Sequence, residues 1–334
     1  MTNKNLRLNK PFLLSPAGKD YLWGGRRLND DFAKEIPMAP LAETWECSTH
    51  PDGPSMVASG EHSGHTLSEI LQEHPEYLGT HSESKKEFPI LIKLIDAKCD
   101  LSVQVHPDDA YAAANENGSL GKTEMWYVMD ASKDAWLIYG LSHDTSRETL
   151  KRSIEQGTVE KYLQKVPIKK DDIFYIEPGI IHAIGAGALV AEVQENSNIT
   201  YRLYDYDRID KSGHKRELHI DKALEVANLK GSAAPRQNLR VLKYRQGCAT
   251  EFLCRCKYFQ VERMLINTER LRSMVSFHTT SLSFEVLLCT TGCGSISFEK
   301  NEMIHFFRGD CIFIPADSVT MKIHGNAQFI KVSC

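Results

Sequence analysis

Apolar residues along this chain fall in short runs broken by Gly, Pro, Asn and Asp, the signature of short strands joined by turns. The runs predict strands at 90–95, 101–106, 125–129, 135–139, 173–176, 188–194 and 200–204. A second series is predicted at 261–266, 284–289, 295–298, 311–314 and 329–332. Helical stretches are few. Thr66-Leu-Ser-Glu69 has the form of a capping box and opens an apolar stripe at Leu67, Ile70 and Leu71. Thr145-Ser-Arg-Glu148 is a second such box, with Leu150 and Ile154 behind it and Gly157 as a stop. Short helices are also predicted from Val159 to Lys165, and after Asp221 through Ala223, Leu224 and Ala227.

One strand pattern occurs twice. Asp172-Ile-Phe-Tyr-Ile-Glu-Pro-Gly179 and Asp310-Cys-Ile-Phe-Ile-Pro-Ala316 each run from a turn acid through an apolar strand to a proline turn. The echo predicts a mainly β fold of two cupin-like jelly-roll β-barrels with a few short helices. The polar segment 230–237 is the linker candidate, dividing a catalytic barrel at 1–235 from a small C-terminal barrel at 236–334. Only the first copy is followed promptly by a histidine, His182, so the second barrel is expected to hold no metal.

Composition narrows the function classes. The 334 residues are 42% hydrophobic and 25% charged, an ordinary globular mixture. A net charge of −4 offers no global attraction to nucleic acid or an anionic membrane, so neither is expected as a partner, and positive charge for a phosphorylated ligand must be local. Met1 to Lys10 is polar, with no signal-peptide core. No apolar run approaches the ~18–20 residues that span a bilayer. The nine cysteines are odd in number and lack a C-x-x-C; Cys254 with Cys256, and Cys289 with Cys293, lack a second pair at zinc-ribbon spacing. They read as reduced thiols of a cytoplasmic protein.

The chemistry concentrates in four segments. Strand alternation puts Gln104 and His106 on one face, with Val103 and Val105 on the other. That polar face is either solvent-exposed or the inside of a ligand-holding barrel. Glu124 opens the strand carrying Trp126 and Val128, and His182 follows the Pro178-Gly179 turn within an apolar stretch. Singly, these are a strand-edge acid and a core histidine. Together, one Glu and two His on neighbouring strands suit a catalytic zinc with open positions, and Gln104 can add a neutral oxygen. The same set suits non-haem iron, and manganese stays open. Glu192 and Gln194 share a face, and Arg202 is expected on the returning strand of a hairpin, aimed at the metal side.

These residues resemble the type I mannose-6-phosphate isomerases, in the short form without a large helical insertion. The matching motifs are Gln-Val-His-Pro at 104–107, Gly-Lys-Thr-Glu-x-Trp-Tyr at 121–127 and Pro-Gly-x-x-His-Ala-Ile-Gly at 178–185. Glu-x-Gln-x-Asn-Ser-x-x-Thr-Tyr-Arg-x-Tyr-Asp at 192–205 extends the match, as do Tyr-Leu-Trp-Gly-Gly at 21–25, Glu-Thr-Trp-Glu at 43–46 and His-Pro-Asp-Gly-Pro at 50–54. The resemblance implies one zinc per chain on His106, Glu124 and His182, with Gln104 as the extra ligand. It implies Arg202 as the active-site arginine and Lys122, Glu192, Lys93 and Ser102 as substrate-facing. The implied reaction is reversible conversion of mannose 6-phosphate to fructose 6-phosphate through a zinc-stabilised cis-enediol. Glu192 or Lys122 would shuttle the proton, and Ser102 with Lys93 would anchor the phosphate. Gly121 stands where some longer relatives carry a histidine, and the C-terminal hundred residues carry none of these motifs. The rival classes are an iron-dependent oxygenase of cupin type and a non-catalytic sugar-phosphate sensor.

Overall fold

A computed structural model describes residues 9–82, 88–209, 213–233, 235, 237, 239–271, 273–299 and 302–334. Most of the amino-terminal segment 1–10, and Ala234 and Arg236 of the linker candidate, lie outside the described residues. The fold is mainly β, with three antiparallel sheets and short helices. None of the sheets closes on itself into the expected barrels.

The chain forms two compact units that interleave along the sequence. One comprises residues up to Ala17, Trp45–Leu91 and Leu239–Cys334; the other comprises Gly18–Thr44 and Ile92–Asn238. This differs from the contiguous division at 235/236. The reason is a pairing with no local signal: Phe12–Ser15 lies antiparallel to Cys311–Ile314, some three hundred residues away, with Leu13 opposite Ile312.

The Ile92–Asn238 unit is a sandwich of two sheets. One sheet runs Ile173–Ile176, Glu124–Ala131, Ala188–Glu195, Ile90–Ala97, Glu43–Cys47 and Ala17–Lys19; the other runs Tyr201–Tyr204, Val103–Val105, His182–Ile184, Trp136–Leu141 and Leu163–Pro167. Trp126, Val128, Phe174 and Val190 of the first pack against Leu137 and Ile184 of the second. On the outer face of the second sheet, Val103, Val105 and Ile138 meet Leu150 and Ile154 of helix Arg147–Glu155, and Ala223 and Leu224 of helix Ile220–Val226. The alternation of 103–106 is therefore real: valines face the helices, and Gln104 faces inward.

Several local expectations shift. The Thr66 box caps helix Leu67–Glu73 as predicted, with Glu69 returning the bond. In the second box the cap is Ser146, which accepts from the Thr149 amide. Asp221 lies inside its helix, where Lys151 pairs with it, and caps nothing. The helix expected from Val159 to Lys165 is a single turn, Val159–Lys161, followed by strand Leu163–Pro167, which pairs with Trp136–Leu141. Sheet pairing outweighs the weak local helical preference there.

In the other unit, the strands expected at 284–289 and 295–298 are one, Glu285–Phe298. It passes a bulge between Cys289 and Thr291 and then Gly292, at φ +83, where a Cβ would fall 1.9 Å from the Asn326 carbonyl oxygen. The repeated motif has one local structure in both copies. Asp172 accepts from the Lys169 amide (2.9 Å) and Asp310 from the Phe307 amide (2.7 Å), each just before its strand. None of the nine cysteines is in a disulfide, and Cys47, Cys248, Cys289 and Cys311 are buried. No helix among the described residues is long and apolar enough to cross a membrane.

Phe313 anchors this unit, stacked on Phe284 at 5.3 Å and on Phe12 at 5.3 Å with no solvent exposure. Phe313→Ala should cost ~3–5 kcal/mol in urea unfolding, and Phe313→Leu clearly less. Equal losses for the two would mean that packing volume is not what the ring contributes.

Candidate active site

His106 and His182 come from the inner face of the five-stranded sheet and Glu124 from the first residue of a strand in the six-stranded sheet. Their register is direct. His182 lies opposite Gln104, Gln104 lies opposite Arg202, and Glu124 lies opposite Gln194. All three candidate ligands are buried, and their donor atoms lie within 4.8 Å of one another. His106 Nε2 is 3.1 Å from His182 Nε2 and 3.2 Å from Glu124 Oε1; His182 Nε2 is 3.6 Å from Glu124 Oε2. Among the described residues this is the one such cluster.

The donors suit a metal ion. Donors bound at ~2.0–2.2 Å around a tetrahedral centre stand roughly 3.3 Å apart, close to the spacings here. Neither oxygen of Glu124 accepts a well-formed hydrogen bond, although both are buried. His182 Nδ1 lies 2.8 Å from the Ile180 carbonyl oxygen; donating there leaves the Nε2 lone pair facing the centre. Gln104 places its amide 3.4 Å from His182 Nε2, so its oxygen can take that position once the amide is turned.

Electrostatics agree. Burial, helped by Lys122, pushes His106 down to about 3. Burial also lowers His182, so both imidazoles are neutral at neutral pH. Burial alone would raise Glu124, but Lys122, 2.9 Å away, outweighs it and holds the carboxyl well below its usual range.

A cavity of about 290 Å³ adjoins the centre, lined by Gln104 and Lys122, which touch His182 and Glu124. Lys93, Ser102, Glu192 and Arg202 line it too, so every residue nominated from the sequence reaches this one place. Burial, with Glu124, raises the Glu192 carboxyl. Glu192 accepts from Trp126 Nε1 (2.8 Å) and lies 3.2 Å from Lys93 Nζ. Burial opposes the charge on Lys93, but Glu192, Glu43 and Glu124 outweigh it and raise its pKa.

Arg202 reaches the cavity by a route different from the one expected. Its strand pairs with Val103–Val105 and not with the Glu192 strand, so the expected hairpin is a crossing from one sheet to the other. Gln194 holds the crossing by donating to the Ser197 carbonyl oxygen. Arg202 and Glu192 therefore belong to different sheets and share one cavity. Arg202 donates to Ser102 Oγ (3.3 Å) and the Glu217 carbonyl oxygen (2.8 Å); it has no carboxylate partner among the described residues. Burial, then Arg216 and Arg208, lower its pKa. Those two arginines share buried Asp205.

Sequence reasoning missed Arg216, Thr200, Asn198 and Glu43 as lining residues. Asn198, Thr200 and Glu43 stood inside motifs already noted. Arg216 stands in a polar stretch with no periodicity to single it out. At Gly121 a Cβ would fall 2.5 Å from the Asp108 carbonyl carbon and the Asp109 nitrogen, so the backbone leaves no room for a side chain there.

Known proteins give the same picture. The model of the family described as phosphomannose isomerase type I, catalytic domain, matches residues 12–133. Mannose-6-phosphate isomerase ManA of Bacillus subtilis is 38% identical over 323 residues, 96% of this chain and 98% of its own length. Mannose-6-phosphate isomerase of Streptococcus mutans is 40% identical over 322 residues, 96% of this chain and 97% of its own. A crystal structure of the mannose 6-phosphate isomerase from Bacillus subtilis superposes with a TM-score of 0.89 at 36% identity, covering 97% of this chain and 99% of that one. The likeness thus includes the C-terminal third, where no motif was legible.

Acid should destabilise the metal-free protein through the two histidines. Between about 3 and 6.5 the folded chain leaves His106 neutral while the unfolded chain protonates it. The unfolded state then binds more protons, and stability falls as pH drops through that window. After chelation, the melting temperature should be lower at pH 5.5 than at pH 7.5, and His106→Gln should shrink the difference. An unchanged difference would place the acid sensitivity elsewhere.

Proposed function

The chain belongs to the type I mannose-6-phosphate isomerases, and on that footing we propose that it interconverts mannose 6-phosphate and fructose 6-phosphate using a zinc ion held by His106, Glu124, His182 and Gln104. One observation carries the reading. A buried two-histidine, one-carboxylate donor set adjoins a cavity whose Arg202 has no carboxylate partner among the described residues. A bound Zn²⁺ supplies Lewis acidity toward the sugar oxygens as negative charge grows on them.

The remaining work falls to side chains. Moving a proton between C2 and C1 needs a base whose lone pair is unprotonated near neutral pH. Glu192 fits better than Lys122. Its carboxyl is raised by burial yet held in place by Trp126 and Lys93, and a carboxylate with two partners keeps further lone pairs. Lys122, beside Glu124, serves as an ammonium donor to a sugar oxygen. Lys93 then orients Glu192, and the phosphate falls to Ser102 with Arg216 at the cationic end of the cavity. Arg202 also faces the charge that develops on the enediolate, where a preorganised donor acts most strongly. Hexose phosphates are charged and stay on one side of a membrane, which agrees with a cytoplasmic site of action.

In a coupled assay, formation of fructose 6-phosphate from mannose 6-phosphate should cease on chelation and return with added Zn²⁺. Undiminished activity in thoroughly chelated protein, or none in metal-replete protein, would sink the proposal. Arg202→Ala should keep its metal and a KM within about tenfold of wild type, while kcat falls ~10²–10³-fold. Lysine should restore little, because a point charge does not reproduce the planar fork. Near-normal turnover with only a lower melting temperature would make Arg202 a packing residue.

A further inference from the structure

Lys122 and Glu124 project from a segment with little structure of its own. Residues 119–123 form no regular element, and a strand begins only at Glu124. The segment is nonetheless tied at every residue. Ser197 Oγ donates to the Leu120 carbonyl oxygen at 3.0 Å, and the Gly121 amide donates to Asp109 Oδ1 at 3.0 Å. The Lys122 amide donates to the Pro107 carbonyl oxygen at 3.0 Å. Thr123 is held from both sides. Its amide donates to Glu195 Oε1 at 2.7 Å, and its carbonyl oxygen accepts from the Glu195 amide at 3.1 Å.

The shortest of these bonds ends on a side chain that the reaction does not use. Glu195 follows Gln194 on its strand and so points to the opposite face. It is 1% exposed. Burial pushes its carboxyl up to about 7, with the Asp109 carboxyl adding to the rise and the bonds to Thr123 opposing it. A buried acid beside a second acid is an expensive way to fill space, and it is tolerated only where its hydrogen bond is needed. Here the bond fixes the residue lying between the two charged groups of the centre.

We propose that Glu195 is a positioning residue for the metal centre: by accepting from the Thr123 amide it sets the segment from which Lys122 and Glu124 project, and with it the metal affinity of the site. This rests on reading His106, Glu124 and His182 as metal ligands. Groups that orient a ligand from outside the coordination sphere commonly account for ~10–100-fold in metal affinity.

The test is zinc affinity of the purified full chain by competition against a chelator of known strength, with folding checked by circular dichroism. Glu195→Ala should weaken zinc binding by about tenfold or more while the chain stays folded. Glu195→Gln keeps an acceptor oxygen at the same reach and should stay within about threefold of wild type. Glu195→Asp keeps the acid but is one methylene short and should weaken binding as alanine does. Zinc binding by Glu195→Ala equal to that of wild type overturns the inference and leaves the metal reading standing. A wild-type chain that takes up no zinc overturns both. If the alanine variant does not fold, the other two decide, because Asp at wild-type affinity with Gln weakened would show that charge and not reach is what matters.

Discussion

The carboxylate of Glu124 is completely buried, and the architecture of the cavity follows from keeping it ionised there. An isolated buried carboxyl takes up a proton in preference to carrying charge without water. Lys122 at 2.9 Å reverses that preference, beside two imidazoles directed at the same point. The imidazoles are themselves neutral because they are buried, so they offer lone pairs and not protons. Neutral histidines and a charged carboxylate converging with both carboxylate oxygens free of good hydrogen bonds make an arrangement that a dication completes. The two-sheet sandwich makes the convergence possible, since neither sheet alone carries all three donors.

Around that point the charges divide into two ends. Near the donors, Lys93, Glu192 and Trp126 hold one another in a dry network where each charge has a partner. At the other end, Arg208 and Arg216 share the single carboxylate of Asp205 while Arg202 stands without a carboxylate partner among the described residues, which leaves positive charge facing the cavity at Arg202 and Arg216. A chain of net charge −4 thus keeps a local cationic pole inside an acidic whole. The field inside the cavity thus runs from the arginines at one end to the buried donor set at the other. Gly121 shows how tightly the intervening backbone is drawn. The space a side chain would need there is already taken by the start of helix Asp109–Asn115, so the acid–base work has to come from other positions.

Much of this was legible in the residues. His106, Glu124 and His182 stood in motifs whose alternation implied a common face, and strands such as Ile173–Ile176 and Cys311–Ile314 lie where their apolar runs put them. Patterns of period two and capping boxes are local, and local sequence carries them. Pairing over long distances is not local. Nothing in residues 12–15 says that they will join a strand at 311–314, and nothing between Glu192 and Arg202 says that the chain will change sheets instead of turning back. Arg216 has neighbours in sequence that carry no pattern, and it reaches the cavity only because Asp205 draws it in. Glu195 reads as one more residue of an apolar strand until the Thr123 amide is found at its carboxyl. By itself, then, the sequence determined which residue types would converge, two imidazoles and a carboxylate beside lysines and an arginine, because those choices are written as side-chain chemistry at fixed spacing. Tertiary structure alone decided which residues hold them in place, because a hydrogen bond between residues 72 apart exists only after their two strands have paired.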